Sequence, residues 1–190
     1  MAKNSPALII VGGPAGSGKT SIGHRLSIDL SIPRLDSDTF GKTIRRSPSH
    51  SGNTRDAYVI GYTLLWRLCE EFLLSGISVI VDTNMGWEES WRSAEVVHNC
   101  RPDLVFLPIV LSSPRDVCIT RIRQRNAEQP DQYGPPEWFM QGDALQICEF
   151  LESFDRADVR VIDAARPLED VYLDVKQHVV AEFSNYEGKR

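Results

Sequence analysis

The sequence of 190 residues predicts an α/β fold in which helices cover a parallel sheet. Apolar runs typical of buried strands alternate with segments of helical periodicity along the chain. The first run, residues 7–11, is continuously apolar, as expected of a strand that is buried on both faces. A glycine-rich octapeptide at residues 13–20 joins this strand to an amphipathic helix. Strand–helix–strand units of this kind cross over in the right-handed sense.

The remaining elements follow in the same alternation. Strands are predicted at residues 7–11, 33–35, 78–82, 104–111 and 159–163. Helices are predicted at residues 19–30, 56–75, 88–98, 114–125 and 138–154. Pro167 opens a closing helix, because proline is favoured in the first helical turn. The polar residues 42–53 predict an exposed connection, either a loop or a short helix.

Two of these elements carry more specific expectations. In the second helix, one apolar face is formed by Ile60, Leu64, Leu68 and Phe72. Gly76 is placed to end that helix as a C-cap. Pro108 lies inside the fourth strand and removes one ladder donor, which predicts a bulge or pairing on one side only.

Composition limits the class of protein. The chain has the size of one domain and no apolar run long enough to cross a bilayer, and its N-terminus lacks the features of a secretory signal, which predicts a cytoplasmic protein. The four cysteines are isolated, so free thiols are favoured over disulfides or a zinc site. The net charge of −5 argues against a broad nucleic-acid surface. We therefore expect small-molecule partners, no membrane, and a monomer or homodimer.

The octapeptide is the strongest functional signal. It reads Gly13, Pro14, Ala15, Gly16, Ser17, Gly18, Lys19 and Thr20, and Ser21 follows it on the helix. The glycines let backbone N–H groups face phosphate oxygens at the positive end of the helix. Lys19 is predicted to bridge the β- and γ-phosphates, and Thr20 to complete the shell of a magnesium ion. The motif thus predicts binding of ATP with Mg²⁺, which switches, motors and kinases share.

Two carboxylates stand at the end of the second strand. An extended backbone would direct Asp36 and Asp38 toward the same cleft, where carboxylates can hold magnesium through water or accept a proton. Leu35-Asp36-Ser37-Asp38 resembles the Asp-x-Asp element of shikimate kinase and adenylylsulfate kinase. The resemblance implies that Asp36 serves the metal and Asp38 the acceptor as its base, although the choice of base between them stays open. Alternatively, these carboxylates cap a helix in the segment after Thr39, for which Ser37 or Asp38 would serve well.

The end of the third strand narrows the resemblance. Residues 79–84 read Val-Ile-Val-Asp-Thr-Asn and resemble the strand-three signature of the polynucleotide-kinase and chloramphenicol-phosphotransferase branch of P-loop kinases. This implies that Asp82 holds a magnesium-bound water or orients Thr20, and that Asn84 binds the acceptor. Helix capping is the alternative for both. Shikimate kinases carry a glycine triplet here, and its absence argues against shikimate as the acceptor.

Three arginines precede a segment rich in proline, glutamine, aspartate and glycine. Arg121 and Arg125 are four residues apart and share a helix face, whereas Arg123 points elsewhere. The pattern resembles the lid entry of nucleoside monophosphate kinases, which implies that Arg121 stacks on adenine and Arg125 reaches the transferring phosphoryl group. It also implies a small helical lid at about residues 122–140. The alternative is a solvated basic helix end.

Several weaker candidates complete the predicted site. The segment around Arg166 resembles the closing adenine segment of the same kinases, so Arg166 is a candidate for adenine binding. Trp87 and Trp91 could line an acceptor pocket or belong to the core. Gly41 departs from the commoner pattern, in which an arginine follows the base by three residues. Arg45 or Arg46 could compensate for that arginine, or lie on the surface.

The resemblance covers nearly the whole chain and implies one P-loop kinase domain over residues 1–190. It implies a three-layer α/β/α fold with a five-stranded parallel sheet of order 2-3-1-4-5. The function it implies is ATP-dependent transfer of the γ-phosphate to a hydroxyl of a small metabolite, natural product or antibiotic. A polynucleotide 5′-hydroxyl kinase and an ATPase switch without an acceptor are the alternatives, and GTP as donor stays open.

Overall fold

A computed structural model describes residues 5–128 and 142–187 of the protein. The strands are β1 Ala7–Gly12, β2 Arg34–Asp36, β3 Val79–Asp82, β4 Val105–Ser112 and β5 Arg160–Asp163. The helices are α1 Lys19–Leu30, α2 Ser37–Arg46, α3 Thr54–Leu74, α4 Glu88–His98, α5 Arg115–Glu128, α6 Gly142–Glu152 and α7 Leu168–Glu187. All strand pairs are parallel, and the sheet order is β2-β3-β1-β4-β5, which confirms the predicted fold.

The central strand β1 explains the continuous apolar run. Ile9 and Val11 pack into a cluster with α1 and α7, whereas Leu8 and Ile10 pack into a second cluster with α3 and α4. Because successive side chains of a strand point to opposite faces, only an unbroken apolar sequence fills both clusters. The three layers of the fold follow from these two cores.

Pro108 is accommodated without a bulge. The register of β4 on β1 is continuous through the pair of Ile10 and Pro108. Pairing of β4 with β5 starts one residue later, at Ile109 and Arg160. Proline cannot donate to a second neighbour, so the strand is paired on one side at this residue, as predicted.

The end of α3 follows the prediction closely. The helix ends at Leu74, and Gly76 lies just beyond it with a φ of +80°. Its N–H donates to Leu73, and the N–H of Ile77 donates to Phe72. These two bonds form a Schellman motif, in which glycine is favoured because a side chain strains the left-handed conformation.

Among the described residues, no helix is long and apolar enough to span a bilayer.

The buried face of α3 differs from the predicted one. Ile60, Leu64 and Leu68 are 46%, 44% and 38% exposed, respectively, and only Phe72 of the predicted face packs against the core. The helix instead buries a face formed by Ala57, Gly61, Leu65, Trp66, Cys69 and Leu73. Apolar residues occur around most of this helix, so periodicity alone does not select a side.

Contact with α2 determines which face of α3 is buried. A Cβ atom on Gly61 would lie 2.7 Å from the backbone nitrogen of Gly41, and one on Gly41 would lie 2.4 Å from the ring of Tyr58. The two helices therefore approach closely at a pair of glycines. The predicted connection at 42–53 is accordingly helical as far as Arg46 and irregular beyond it.

Substitution of Gly61 by alanine is expected to lower the free energy of unfolding by about 1–3 kcal/mol, because the added methyl group overpacks a contact with backbone atoms. Urea denaturation measures this change. Leu64→Ala, on the exposed face of the same helix, is the matched control and should change stability less. Equal stability of Gly61→Ala and wild type would contradict the close approach.

Candidate active site

The phosphate loop connects β1 to α1 at the carboxyl edge of the sheet. Gly16 has a φ of +85°, and a Cβ atom there would lie 2.7 Å from the carbonyl oxygen of Cys118 in α5. Gly18 has a φ of +95° and begins α1 without a side-chain cap, and the first turn of α1 contains no acidic residue. The N–H groups and positive dipole end of α1 therefore point toward the loop, and no acidic side chain of this turn competes with a bound anion.

The residues after Gly18 occupy the first turn of α1. Lys19 is half-buried, whereas Thr20 and Ser21 are exposed. Ser17 is buried within the loop, and its N–H donates to the carbonyl of Pro14. The loop is thus folded into the compact shape that phosphate binding requires.

The end of β3 is hydrogen-bonded to this loop. The N–H of Gly13 donates to the carbonyl of Asn84 at 3.1 Å, and the N–H of Thr83 donates to Val11 at 3.3 Å. Met85 follows in a left-handed conformation, with a φ of +53°, and is fully buried. Its carbonyl accepts a hydrogen bond from the indole of Trp91 at 2.9 Å. Strained backbone of this kind often marks functional sites.

An arginine joins the two strand-end carboxylates. Asp36 and Asp82 are register partners on β2 and β3. Nη1 of Arg34 lies 2.6 Å from Oδ2 of Asp82 and 3.6 Å from Oδ2 of Asp36. Sequence reasoning missed Arg34, although its position two residues before Asp36 on a strand places both side chains on one face.

Asp82 is the most buried carboxylate of the site, with a side chain that is 1% exposed. Burial raises the pKa of Asp82, although the positive charges of Lys19 and Arg34 act in the opposite direction. Within the described residues its Oδ1 makes no hydrogen bond of normal geometry, and the Thr20 hydroxyl lies close by. A buried oxygen beside Thr20 suits a magnesium-bound water, so these residues fit the predicted metal.

Asp36 caps α2. Its Oδ1 accepts from the N–H of Asp38 at 2.9 Å, and its Oδ2 accepts from the Thr39 hydroxyl at 3.0 Å. The strand ends at Asp36 and the helix begins at Ser37, so the expectation of an extended backbone through Asp38 is wrong. Asp36, rather than Ser37 or Asp38, is therefore the N-cap of α2. An aspartate in β conformation at this position can accept a hydrogen bond from a backbone N–H of the first turn.

Asp38 consequently projects from the first turn of α2. Its side chain is 61% exposed and lies 3.5 Å from the ammonium of Lys42, one turn later. This exposure leaves the carboxylate accessible to a molecule from solvent.

Asn84 uses its side chain within the protein. Its Oδ1 accepts from the N–H of Gly86 at 2.9 Å, and its Nδ2 donates to the hydroxyl of Tyr62 at 2.7 Å. Tyr62 is a second residue that sequence reasoning missed, because a lone tyrosine in an apolar helix reads as part of the core.

The arginines of α5 lie beside the phosphate loop. Nη1 of Arg121 donates to the carbonyls of Ala164, at 2.8 Å, and Gly16, at 3.4 Å. Arg125 follows one turn later and is half-buried. Arg121 therefore connects the loop to the segment after β5. Helix α5 continues to Glu128, and residues 129–140 of the predicted lid lie outside the described residues.

The remaining predicted site residues differ in their surroundings. Arg166 pairs with Asp174 at 2.6 Å, and Arg45 is exposed in the last turn of α2. Trp87 is half-buried at the N-cap of α4. Trp91 belongs to the core, where its ring stacks on Phe154.

A phosphate loop between β1 and α1, with carboxylates at the ends of β2 and β3 of a 2-3-1-4-5 sheet, defines a P-loop protein with the fold of small kinases. The family model described as an AAA domain, AAA_33, matches residues 8–143, which is more than half of the chain. The chain therefore belongs to this family. Among proteins with curated functions, none matches its sequence.

Solved structures share the fold at low sequence identity. A gluconokinase from Sinorhizobium meliloti is 20% identical with a TM-score of 0.63, and the match covers 98% of both chains. A sugar kinase from a Janibacter species is 21% identical with a TM-score of 0.60, covering 90% of this chain and 93% of that one. Shikimate kinase from Acinetobacter baumannii, in complex with shikimate, is 17% identical with a TM-score of 0.56, covering 94% and 95%.

Proposed function

We propose that this protein is an ATP-dependent kinase that transfers the γ-phosphate to a hydroxyl group of a small molecule, such as a metabolite, natural product or antibiotic. The observation that carries the proposal is the exposed carboxylate of Asp38, held at the same sheet edge as the phosphate loop. A loop alone binds a triphosphate, whereas an accessible base beside it serves transfer to an acceptor.

The donor half of the site consists of the loop and the arginines beside it. Backbone N–H groups of Ala15, Gly16 and Gly18 and of the first turn of α1 bind the phosphates, because those of Gly13 and Ser17 already donate to protein carbonyls. Lys19 neutralises the charge between the β- and γ-groups. Arg121 already contacts the segment after β5, which together with Arg166 would surround the adenine. Arg125 is assigned to the transferring phosphoryl group, where a planar guanidinium can bridge two equatorial oxygens.

The residues proposed for Mg²⁺ lie beside the phosphate loop. Thr20 and the phosphates would hold Mg²⁺ directly, with Asp82 and Asp36 acting through water, since magnesium keeps several waters in nucleotide sites. When bound, the ion neutralises developing charge on the phosphates. Arg34 holds Asp82 and Asp36 in place at 2.6 and 3.6 Å.

The acceptor half is assigned to α2 and the segment after β3. Asp38 accepts the proton of the attacking hydroxyl, and Asn84, Trp87 and Arg45 surround the acceptor. The sugar and shikimate kinases of the same fold are named for substrates that carry hydroxyl groups, which supports such an acceptor. Gly41 packs against Tyr58, so the arginine of the commoner pattern has no room on this helix. Acceptor binding must therefore use other groups.

We further propose that residues 1–190 act as one domain with a lid near residues 122–140, as a monomer or homodimer. The four cysteines are free thiols, which supports a reducing compartment such as the cytoplasm.

Incubation with γ-labelled ATP and Mg²⁺ tests the function. Hydroxyl metabolites, aminoglycoside and phenicol antibiotics, and short oligonucleotides are offered separately. The proposal predicts label on at least one small molecule. Label on oligonucleotides alone would support a polynucleotide kinase, and label found only in inorganic phosphate would support an ATPase switch.

A further inference from the structure

The phenol of Tyr62 lies where three segments of the site meet. Its oxygen is 2.7 Å from Nδ2 of Asn84 and 3.2 Å from the hydroxyl of Thr83. Burial raises the pKa of Tyr62, and the charge of Asp38 acts in the same direction, while hydrogen bonds with Thr83 and Ser37 lower it. Tyr62 is therefore neutral at physiological pH and keeps one proton to donate.

The direction of these hydrogen bonds is fixed by Asn84. Its Oδ1 is occupied by the N–H of Gly86 at 2.9 Å, so its amide N–H₂ must face Tyr62. The phenol oxygen accepts from this amide and from the hydroxyl of Thr83, and its own proton is left for the hydroxyl of Ser37. Thr83 at the end of β3 and Ser37 at the start of α2 are the two hydroxyls beside it. Both are buried, at 0% and 4% exposure.

A chain of polar contacts thus runs from the phosphate loop to α2. The N–H of Gly13 donates to the carbonyl of Asn84, and the side chain of Asn84 donates to Tyr62. Gly61, the residue before Tyr62, packs against the backbone of Gly41 in α2, and Ser37 at the start of α2 lies beside the phenol. Buried polar chains that are fully paired fix geometry, because each unmade bond costs desolvation.

We propose that Tyr62 is a positioning residue, which fixes the start of α2, and with it Asp38, relative to the phosphate loop. The proposal rests on the proposed function for its effect on catalysis, since a base must stand within hydrogen-bond reach of the acceptor hydroxyl. Loss of the phenol oxygen would remove the bond to Asn84 and leave the start of α2 held by the Asp36 cap and the Gly41–Gly61 contact.

Tyr62→Phe is the test, because it removes one oxygen and keeps the ring. We expect kcat for phosphate transfer to fall by about 10- to 100-fold, as a displaced catalytic group predicts. The KM for ATP and the rate of ATP hydrolysis without an acceptor should stay within about two-fold of wild type, since the donor half is unchanged. Tyr58→Phe is the matched control, since Tyr58 lies one turn earlier on α3 and contacts α2 through its ring.

Hydrogen–deuterium exchange of the ligand-free protein gives a readout that needs no acceptor. Tyr62→Phe should increase exchange in residues 37–42 and 83–86 relative to Tyr58→Phe. Equal exchange in the two variants would overturn the positioning role, as would faster exchange with unchanged transfer. If wild type transfers no phosphate but the exchange difference is present, the structural link stands and the proposed function alone fails.

Discussion

Asp38→Asn is expected to reduce phosphate transfer by about 10²–10⁴-fold while leaving ATP affinity unchanged, because asparagine cannot accept the proton of the attacking hydroxyl. The side chain is 61% exposed and does not cap α2, since Asp36 fills that role. The variant therefore keeps the local fold. Steady-state transfer rates and calorimetric titration with ATP measure the two quantities.

A matched control separates the loss of a base from the loss of a charge. Asp38 lies in the first turn of α2, where a negative charge interacts favourably with the helix dipole by about 0.3–1 kcal/mol. Asp116 occupies the corresponding first turn of α5 and is exposed. Asp116→Asn should reproduce any small loss of stability without loss of transfer. Transfer at the wild-type rate by Asp38→Asn would rule out Asp38 as the base and leave Asp36 as the remaining carboxylate of this pair.

Lys19→Met is expected to lower both ATP affinity and transfer, the latter by on the order of 10²–10³-fold, because a preorganised positive charge is lost beside the phosphates. Lys19 is the first residue of α1, and its charge opposes the rise that burial causes in the pKa of Asp82. Removing the ammonium thus also leaves Asp82 with less compensating charge. Equilibrium binding of ATP and single-turnover transfer measure the two effects.

Lys176→Met supplies the control for this substitution. Lys176 is an exposed lysine of α7 that pairs with Asp29 at 2.6 Å, near the far end of α1. Loss of such a surface pair changes stability little. Wild-type ATP affinity in Lys19→Met would contradict the assignment of Lys19 to the β- and γ-phosphates.

The regular elements of the fold could be predicted because periodicity and local signals agree. The bounds of α1 and α4 coincide with their predicted bounds, and Gly76 ends α3 as expected. The buried side of α3 could not be predicted in this way. It depends on the contact of Gly41 with Gly61, which joins two segments that are distant in sequence.

In the candidate site as well, some residues could be predicted from the sequence and others could not. The phosphate loop is a local motif, so sequence alone locates it between β1 and α1. Arg34 and Tyr62 carry no such motif, and their roles appear only when β2, β3 and α3 meet at one edge of the sheet. A helix near Ser37 is only an alternative in the sequence, because Asp36 and its neighbours suit either metal binding or a helix cap, and the structure shows Asp36 as the cap.

The fate of the γ-phosphate tests the central claim most directly. Phosphorus NMR of wild-type protein with ATP, Mg²⁺ and the best acceptor of the screen follows ADP, inorganic phosphate and phosphate esters together. We predict one phosphate monoester formed for each ADP, and loss of that ester signal in Asp38→Asn. Release of the γ-phosphate only as inorganic phosphate, with every acceptor left unchanged, would contradict the assignment of this site to a kinase.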